Sequence, residues 1–335
     1  MILVTGGTGL VGSHLLYHLI SEDIKTPIKA IYRKKRSLND AKNVFAYYNE
    51  KYVELWNKIE WVKGDLSDYN SLDDALKGVT KVYHSAAMVS FNPGEANKMI
   101  KTNIEGTANL MNACIKRGVE KFCYVSSVSS LGKKIDGAVI DENVEWLPDD
   151  HRSAYSYSKF RSEMEVWRAT KEGLPAVIVN PSVIIGPVSR YRSSGRLFNT
   201  VQKGIPVYTS GVTGFIDVRD VAKALKLLME SDIKNERFLL NSENLSFKDF
   251  FNIAAAQLGK KAPFIKASKW VMESGWRLNL IFSKITGTKP ILTKDTARAA
   301  NIISLYSSEK FKKTFNYKFI PIKDAVQNAA KWFKQ

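Results

Sequence analysis

The chain has 335 residues, of which 44% are hydrophobic, and it carries a formal net charge of +17 at pH 7. A chain of this length can bury a large core and is long for one domain, and its apolar stretches are too short to cross a bilayer. The basic residues are scattered and match no nucleic-acid-binding module, so the charge is interpreted as a solvated surface without a nucleic-acid partner.

The chain opens on a short apolar strand, Met1–Val4, that runs into a glycine-rich turn. Gly6 allows a tight turn, Gly9 lets a phosphate approach the backbone, and Gly12 lets the next helix pack closely on the sheet. That helix points its N-terminal amides at the phosphates. The pattern predicts a dinucleotide site. The residues expected to build it are Gly6, Thr8, Gly9, Leu10, Val11 and Gly12.

Five more apolar runs in the amino-terminal half are predicted to be buried parallel strands. They are Ile28–Tyr32, Ile59–Val62, Lys81–His84, Lys121–Ser126 and Ala176–Asn180. Helical segments separate them, and the clearest, Glu95–Arg117, stops at Gly118. This alternation predicts an α/β fold with a doubly wound parallel sheet, a Rossmann fold, whose ligand lies at the carboxyl ends of the strands.

The regular alternation ends after Gly186. The helices predicted beyond this point are Phe247–Leu258, Ser268–Ser283, Leu292–Ala300 and Ile322–Phe333. We therefore expect a nucleotide-binding domain over residues 1–186, to which segments around 205–240 return. A smaller, mainly helical C-terminal lobe over residues 187–335 is expected to bind the substrate.

Cysteine usage and the start of the chain bear on the cellular compartment. Cys114 and Cys123 fall in a predicted helix and strand without disulfide or metal-ligand spacing, so we expect buried thiols and no metal site. The first strand begins at Met1, which leaves no room for a signal peptide. These features predict a cytoplasmic protein; the sequence does not set its oligomeric state, and a homodimer stays open.

The segment Tyr32–Arg36, directly after the second strand, is strongly basic, and neither Asp nor Glu occurs between Ile24 and Asn39. A site selective for NAD commonly has an acidic residue here for the ribose hydroxyls, whereas a 2′-phosphate requires Arg or Lys. This favours NADP(H) over NAD(H), with Arg33 as the phosphate ligand. Binding of NAD(H), with the loop only a solvated basic tip, is the alternative.

A tyrosine and a lysine, Tyr155 and Lys159, lie one helical turn apart on one face of a predicted helix. An ordinary phenol titrates near ~10, and a nearby ammonium favours its ionised form, which brings proton exchange with a substrate oxygen within reach at neutral pH. The hydroxyl cluster Ser126–Ser130 at the end of a predicted strand could orient a substrate carbonyl or serve as an ordinary cap.

Seven motifs, in order along essentially the whole chain, closely resemble those of extended short-chain dehydrogenases/reductases. They are TGGTGLVG at Thr5–Gly12, GDLSD at Gly64–Asp68, HSAA at His84–Ala87, TNIEGTANL at Thr102–Leu110, YVSSVSS at Tyr124–Ser130, YSYSK at Tyr155–Lys159 and NPSVIIGP at Asn180–Pro187. The resemblance implies an NAD(P)(H)-dependent enzyme in which Tyr155 is the acid/base and Lys159 holds the nicotinamide ribose and tunes Tyr155. It also implies that Ser127, rather than Ser126, is the catalytic hydroxyl.

Further site residues follow from the same resemblance. Asn103 matches an asparagine that supports a proton relay in related enzymes, although a helix residue can equally be structural. The resemblance places Asp65 and Leu66 at the adenine, and Ala86 and Ala87 along the phosphate and ribose region. The residues implied to border the nicotinamide are Pro181, Ser182 and Val183.

Two branches of this family differ in their substrates. Nucleotide-sugar epimerases and dehydratases carry an asparagine where this chain has Val183, and an arginine element where it has Thr213–Phe215. Losing an amide and a guanidinium weakens recognition of a charged diphosphate. The apolar substrate lining implied by Met88, Val89 and Phe91 is more like that of the dihydroflavonol-reductase, aldehyde-reductase and 3β-hydroxysteroid-dehydrogenase branch.

The sequence therefore favours an oxidoreductase that transfers hydride between nicotinamide and a relatively apolar carbonyl or secondary alcohol. An epimerase or dehydratase of nucleotide sugars is the alternative. A non-catalytic NADP-binding regulator is a third interpretation, but such proteins usually lack the pair that this chain retains as Tyr155 and Lys159.

A basic, aromatic segment over residues 269–284 has two interpretations. Its apolar residues are Trp270, Val271, Trp276, Leu278, Leu280, Ile281 and Phe282, interleaved with Lys269, Arg277 and Lys284. Such a segment could rest on a membrane surface or form a core or lid helix of the second lobe. The apolar positions are spread around the helix, which favours the core or lid helix over peripheral membrane contact.

Overall fold

The computed structural model describes residues 1–22, 25–133, 138–147, 153–204, 206–286 and 293–334. Its strands are β1 (Ile2–Thr5), β2 (Ile28–Tyr32), β3 (Ile59–Lys63), β4 (Lys81–His84), β5 (Lys121–Val125), β6 (Val139–Ile140), β7 (Ala176–Pro181), β8 (Val183–Ile185), β9 (Val207–Tyr208), β10 (Val212–Asp217), β11 (Glu236–Leu240), β12 (Glu243–Ser246), β13 (Ile265–Lys266) and β14 (Leu305–Tyr306). Its helices are α1 (Leu10–Ser21), α2 (Leu38–Tyr48), α3 (Tyr52–Asn57), α4 (Tyr69–Ala75), α5 (Ala96–Arg117), α6 (Ala154–Lys171), α7 (Gly195–Gln202), α8 (Val218–Glu230), α9 (Phe247–Leu258), α10 (Lys269–Thr286), α11 (Lys294–Ala299), α12 (Glu309–Phe315) and α13 (Ile322–Lys334).

The main sheet has seven strands in the order β11-β7-β5-β4-β1-β2-β3, and every neighbouring pair is parallel. The chain moves outward from β1 through β2 to β3, then crosses to the other side of β1 to form β4. This reversal opens a crevice at the carboxyl ends of β1 and β4, where ligands of such sheets bind. The predicted doubly wound α/β fold is confirmed.

Helices cover both faces of this sheet. On one face α1 and α8 pack together and bury Leu16 and Leu225 completely. On the other face α4, α5 and α6 bury residues such as Leu110 and Val166. The strands predicted from apolar runs match within one residue, but β3 is an edge strand whose residues are partly exposed, so the expectation of a buried strand is wrong there.

A second hydrophobic core forms between α7, α9, α13 and a small sheet of strands in the order β12-β10-β8. Phe215 of β10 stacks on Phe250 of α9 with ring centroids 4.7 Å apart. This sheet and the β9–β13 pair were not anticipated in a lobe predicted to be mainly helical, because their short strands lack a clear alternation of apolar residues. By contrast, β11 returns to the edge of the main sheet.

Two large apolar side chains in the first turn of α10 face water. Trp270 is 84% exposed and Val271 is 57% exposed, so neither side chain belongs to a core, and the lid helix stays a prediction. The side chains of Leu278, Leu280, Ile281, Phe282 and Lys284, and the predicted helix start at Leu292, lie outside what the structure describes. None of the described helices is long and apolar enough to span a membrane. Cys114 and Cys123 are buried free thiols, as predicted.

Candidate active site

The glycine-rich turn between β1 and α1 leaves room only for backbone. Gly6 has a φ of +71°, and a Cβ there would lie 2.6 Å from the Ala86 nitrogen. A Cβ at Gly12 would lie 2.2 Å from the Gly6 oxygen. Gly9 is exposed at the start of α1, beside the partly open Leu10. The turn therefore presents bare backbone and a helix N-terminus, the cradle that a dinucleotide pyrophosphate requires.

Asp65 and Arg33 meet at the ends of β3 and β2. The Asp65 carboxylate accepts hydrogen bonds from the Ser67 amide at 3.0 Å and the Ser67 hydroxyl at 2.8 Å. Partial burial opposes ionisation, but these hydrogen bonds and the charge of Arg33 together lower the pKa of Asp65. Leu66 is held by its carbonyl oxygen, which accepts from the Asn109 amide at 3.0 Å. The carboxylate of Asp65, which follows β3, therefore lies close to the basic segment Tyr32–Arg36, which follows the neighbouring strand β2.

The side chains of Tyr155 and Ser127 lie near each other, and hydrogen bonding by Ser127 lowers the pKa of Tyr155. Tyr155 lies in the first turn of α6, which begins where the Ser153 hydroxyl accepts from the Ser156 amide at 3.1 Å. Ser127 follows β5, and its Oγ accepts from the Ser129 amide at 3.1 Å. Loss of solvent around its hydroxyl raises the pKa of Tyr155, and the bond to Ser127 offsets this only in part. The expectation that Lys159 lowers this pKa is therefore wrong: burial raises it, and the opposing contribution comes from Ser127.

Lys159 lies beneath Tyr155 on α6 and is only 3% exposed. Its Nζ donates to the Tyr124 hydroxyl at 3.0 Å and to the Val125 carbonyl oxygen at 2.8 Å. Burial lowers the pKa of Lys159 to about 7, although the negative charge of Glu163 opposes the shift. The ammonium is thus pre-positioned by strand β5, and it titrates near neutrality.

Sequence reasoning missed a buried chain of polar groups behind Lys159. The Tyr124 hydroxyl contacts the side chain of Thr107, whose Oγ1 lies 3.3 Å from His84 Nε2. His84 Nδ1 in turn lies 2.6 Å from the Thr5 hydroxyl at the end of β1. Burial lowers the pKa of His84 to about 3, and the charge of Lys159 adds to the shift, so the ring is neutral. No local sequence pattern indicates this series of polar contacts, because its four residues lie on four separate elements.

A buried carboxylate, Glu163, organises the serine cluster. It accepts from the hydroxyls of Ser126 and Ser130 at 2.6 Å and 2.7 Å, and from the Asn180 amide at 2.9 Å. Ser126 is therefore turned into the core, while its neighbour Ser127 faces Tyr155. Glu163 was also missed, although it follows Lys159 at the same four-residue spacing that pairs Tyr155 with Lys159.

Asn103 supports the segment expected to line the substrate. Its Oδ1 accepts from the Met88 amide at 2.7 Å, and its Nδ2 donates to the Met88 carbonyl at 2.9 Å and to Ser158 Oγ at 3.1 Å. The Phe91 ring lies 5.9 Å from the Tyr155 ring, and Val89 is half exposed. These contacts fit a structural role for Asn103, and the proton relay stays a prediction.

The segment from Pro181 to Val183 joins the main sheet to the small one. Ser182 is 5% exposed, and its amide donates to the Leu240 carbonyl at 2.9 Å. Its buried Oγ has no hydrogen-bond partner among the described residues. A buried hydroxyl without a partner is costly, so a polar group of a ligand suits this position. The glycine cradle and this hydroxyl both fit a bound nicotinamide dinucleotide.

Fold and site together define a dinucleotide-binding α/β protein. The profile of the NAD dependent epimerase/dehydratase family matches residues 2–240. The chain therefore belongs to this family of NAD(P)-dependent enzymes, the extended short-chain dehydrogenases/reductases.

Individual proteins of known name are similar to this chain. Sterol demethylase protein B of Methylococcus capsulatus is 31% identical over 72% of this chain and 70% of its own length. Cinnamoyl-CoA reductase 1 of Petunia hybrida is 27% identical over 71% of this chain and 72% of its own length. The crystal structure of gox2253 superposes with a TM-score of 0.81 at 30% identity, covering 100% of this chain and 98% of the other.

Proposed function

We propose that the protein is an NADP(H)-dependent oxidoreductase that interconverts a relatively apolar carbonyl compound and its secondary alcohol. The observation that carries this proposal is the position of Tyr155, near Ser127 and with its ring 5.9 Å from the Phe91 ring. A proton donor bordered by an apolar segment suits an apolar carbonyl. The similarity to a cinnamoyl-CoA reductase supports the same direction of chemistry.

The geometry supports one role for each of three side chains. A bound nicotinamide dinucleotide would supply the hydride in reduction and accept it in oxidation. In reduction Tyr155 donates its proton to the substrate oxygen, and Ser127 orients that oxygen by a hydrogen bond. The raised pKa of Tyr155 keeps the phenol protonated before the reaction, which is the form that reduction needs. Lys159, held by Tyr124, then stabilises the phenolate that remains.

The test is turnover of NADPH and NADH with a panel of aromatic and aliphatic aldehydes and ketones, alongside a UDP-glucose epimerase assay. We expect reduction of apolar carbonyls, its loss in Tyr155→Phe, and cofactor binding by that variant close to the wild type, because one hydroxyl and little volume are removed. Tyr157→Phe, at a 40% exposed tyrosine on the same helix, is the matched control and should keep its activity. Epimerase activity without carbonyl reduction would replace the proposal with the nucleotide-sugar alternative.

The preference for NADP(H) rests on Arg33, which is exposed at the end of β2 and near Asp65. A hydrogen bond to a charged group contributes roughly 1.5–3 kcal/mol, so Arg33→Asp should weaken NADP binding by about ten- to a hundredfold and move preference towards NAD. Arg36→Asp, in the same loop, should change it less. The measurement is the dissociation constant of each cofactor by calorimetry. Tighter binding of NAD(H) than NADP(H) by the wild type would reject this preference and leave the oxidoreductase proposal standing.

A further inference from the structure

Four large apolar side chains stand in solvent within eight residues of the second lobe. They are Phe264 (74% exposed), Ile265 (49%), Trp270 (84%) and Val271 (57%), which we call the apolar ridge. Side chains of this kind are normally buried, and a local group of exposed ones marks an interaction surface. The ridge lies outside the candidate active site described above.

The backbone that carries the ridge is anchored to the lobe. The amides of Phe264 and Ile265 lie 2.8 Å and 2.9 Å from the Pro206 carbonyl oxygen, and the Ala267 amide donates to the Tyr208 carbonyl at 2.8 Å. These bonds belong to the parallel β9–β13 pair. Ala267 is 3% exposed and fixes the turn from β13 into α10. The apolar side chains are therefore presented outward by an ordered strand and the first turn of a helix.

Lysines surround the ridge, and the first acidic residue after it along the chain, Glu273, pairs with Arg277 at 2.8 Å. Lys203, Lys260 and Lys261 line a groove of about 320 Å³ together with Phe264, and Lys266 is also exposed. Residues 196–216 and 258–272, which contribute both sides of the groove, contain no Asp or Glu. Some lysines elsewhere have acidic partners, as Lys310 does in Glu236 at 2.7 Å.

We propose that the apolar ridge and the lysines around it dock on an anionic lipid bilayer. Aromatic and aliphatic side chains enter the boundary between headgroups and acyl chains, while lysines remain among anionic headgroups. A nucleic acid would satisfy the lysines but would offer no apolar environment for Ile265 and Val271. A bilayer with anionic lipids satisfies both sets of side chains, and this docking does not depend on the proposed enzymatic activity.

The experiment is sedimentation of the 335-residue chain with vesicles of phosphatidylcholine alone or mixed with phosphatidylglycerol. The wild type should bind the anionic vesicles, should bind neutral ones far less, and should be released as salt screens the lysines. Phe264→Ser/Trp270→Ser should lower the partition coefficient about tenfold or more, because two large apolar side chains no longer insert. Tyr191→Ser, at a 70% exposed tyrosine outside the ridge, is the matched control and should bind like the wild type.

A second pair of variants tests the charge. Lys260→Glu/Lys261→Glu should lower binding to anionic vesicles by about tenfold or more, whereas Lys313→Glu/Lys318→Glu, two exposed lysines elsewhere with the same change in net charge, should lower it much less. Thermal unfolding checks that each variant is folded. Equal binding to neutral and anionic vesicles, or equal losses in ridge and control variants, would overturn the proposal. The proposal would also be overturned if light scattering showed a dimer for the wild type and a monomer for Phe264→Ser/Trp270→Ser. Binding of single-stranded RNA in place of vesicles would overturn it too.

Discussion

The neighbouring serines Ser126 and Ser127 have opposite environments. Successive side chains of an extended segment point to opposite sides, so one hydroxyl reaches the buried Glu163 and the other reaches Tyr155. The difference between them is therefore set by the direction of the chain as it leaves β5. A sequence motif of repeated serines does not display that difference.

Exchanging each serine for alanine should separate catalysis from stability. Ser127→Ala should lose most of kcat/KM with little change in stability, because it removes the hydrogen bond to Tyr155. Ser126→Ala should keep more activity but lose about 1–3 kcal/mol of unfolding free energy, because it leaves Glu163 short of a donor. Steady-state kinetics and urea unfolding of both variants check this, and the reverse order of activity would show that Ser126 is the reacting hydroxyl.

The buried Lys159 should make stability depend on pH. Below about pH 7 its ammonium is charged in the folded and unfolded protein, and burial costs the folded state its full desolvation penalty. As pH rises above about 7, the folded protein releases this proton, while the unfolded chain keeps it up to a pKa of 10.5. The unfolded state then binds more protons, so the contribution of Lys159 to the unfolding free energy rises with pH.

We therefore expect wild type to gain stability relative to Lys159→Met between pH 7 and 10, by up to ~1.4 kcal/mol per pH unit. Urea unfolding of both proteins without cofactor at a series of pH values measures the difference. Lys171→Met, at an exposed lysine in the last turn of the same helix, should show no such trend. A difference that stays flat with pH would mean that Lys159 keeps its ordinary pKa.

One carboxylate on helix α8, which packs on the main sheet, forms hydrogen bonds with the C-terminal part of the chain. Asp220 accepts from the Tyr317 hydroxyl and from the Ile320 amide, each at 2.8 Å. Burial raises the pKa of Asp220 to about 6 despite these two bonds. Asp220 thus holds the segment between α12 and α13 against α8. The helical pattern of the sequence does not distinguish this buried aspartate from the exposed acidic residues of the chain.

Removing this carboxylate should loosen that connection. Asp220→Ala leaves two partly buried donors without an acceptor and should cost about 2–4 kcal/mol of unfolding free energy. Asp232→Ala, at an exposed aspartate just after the same helix, is the control and should stay within about 0.5 kcal/mol of the wild type. Thermal and urea unfolding measure both. Equal effects would show that the two hydrogen bonds contribute nothing net.

The net charge of +17 acts on the molecule as a whole. Self-repulsion at this charge destabilises the compact state, and salt screens it within a Debye length of about 8 Å at 0.15 M. The melting temperature of the cofactor-free protein should therefore rise from low ionic strength to about 0.15 M NaCl. Tetramethylammonium chloride should act alike if screening is the cause. A fall in melting temperature would mean that favourable ion pairs outweigh the repulsion.

Much of the fold and part of the site could be predicted from local patterns. Six of the seven strands of the main sheet, and the glycine turn, follow from runs and spacings of a few residues, so neighbours along the chain suffice to predict them. The same is true of Tyr155 and Lys159, because four residues make one helical turn wherever the helix lies. The small sheet of the second lobe was missed, since its strands show neither a continuous apolar run nor a clear alternation of apolar residues.

Contacts between distant segments could be found only in the folded chain. Tyr124 contacts Lys159 across 35 positions, Asn180 contacts Glu163 across 17, and Asn103 contacts the Met88 backbone across 15. The pKa of Lys159 and the exposure of Trp270 depend in the same way on what surrounds each side chain. Desolvation and packing depend on which residues surround a side chain in the folded protein, so they cannot be predicted from residue type and spacing along the sequence.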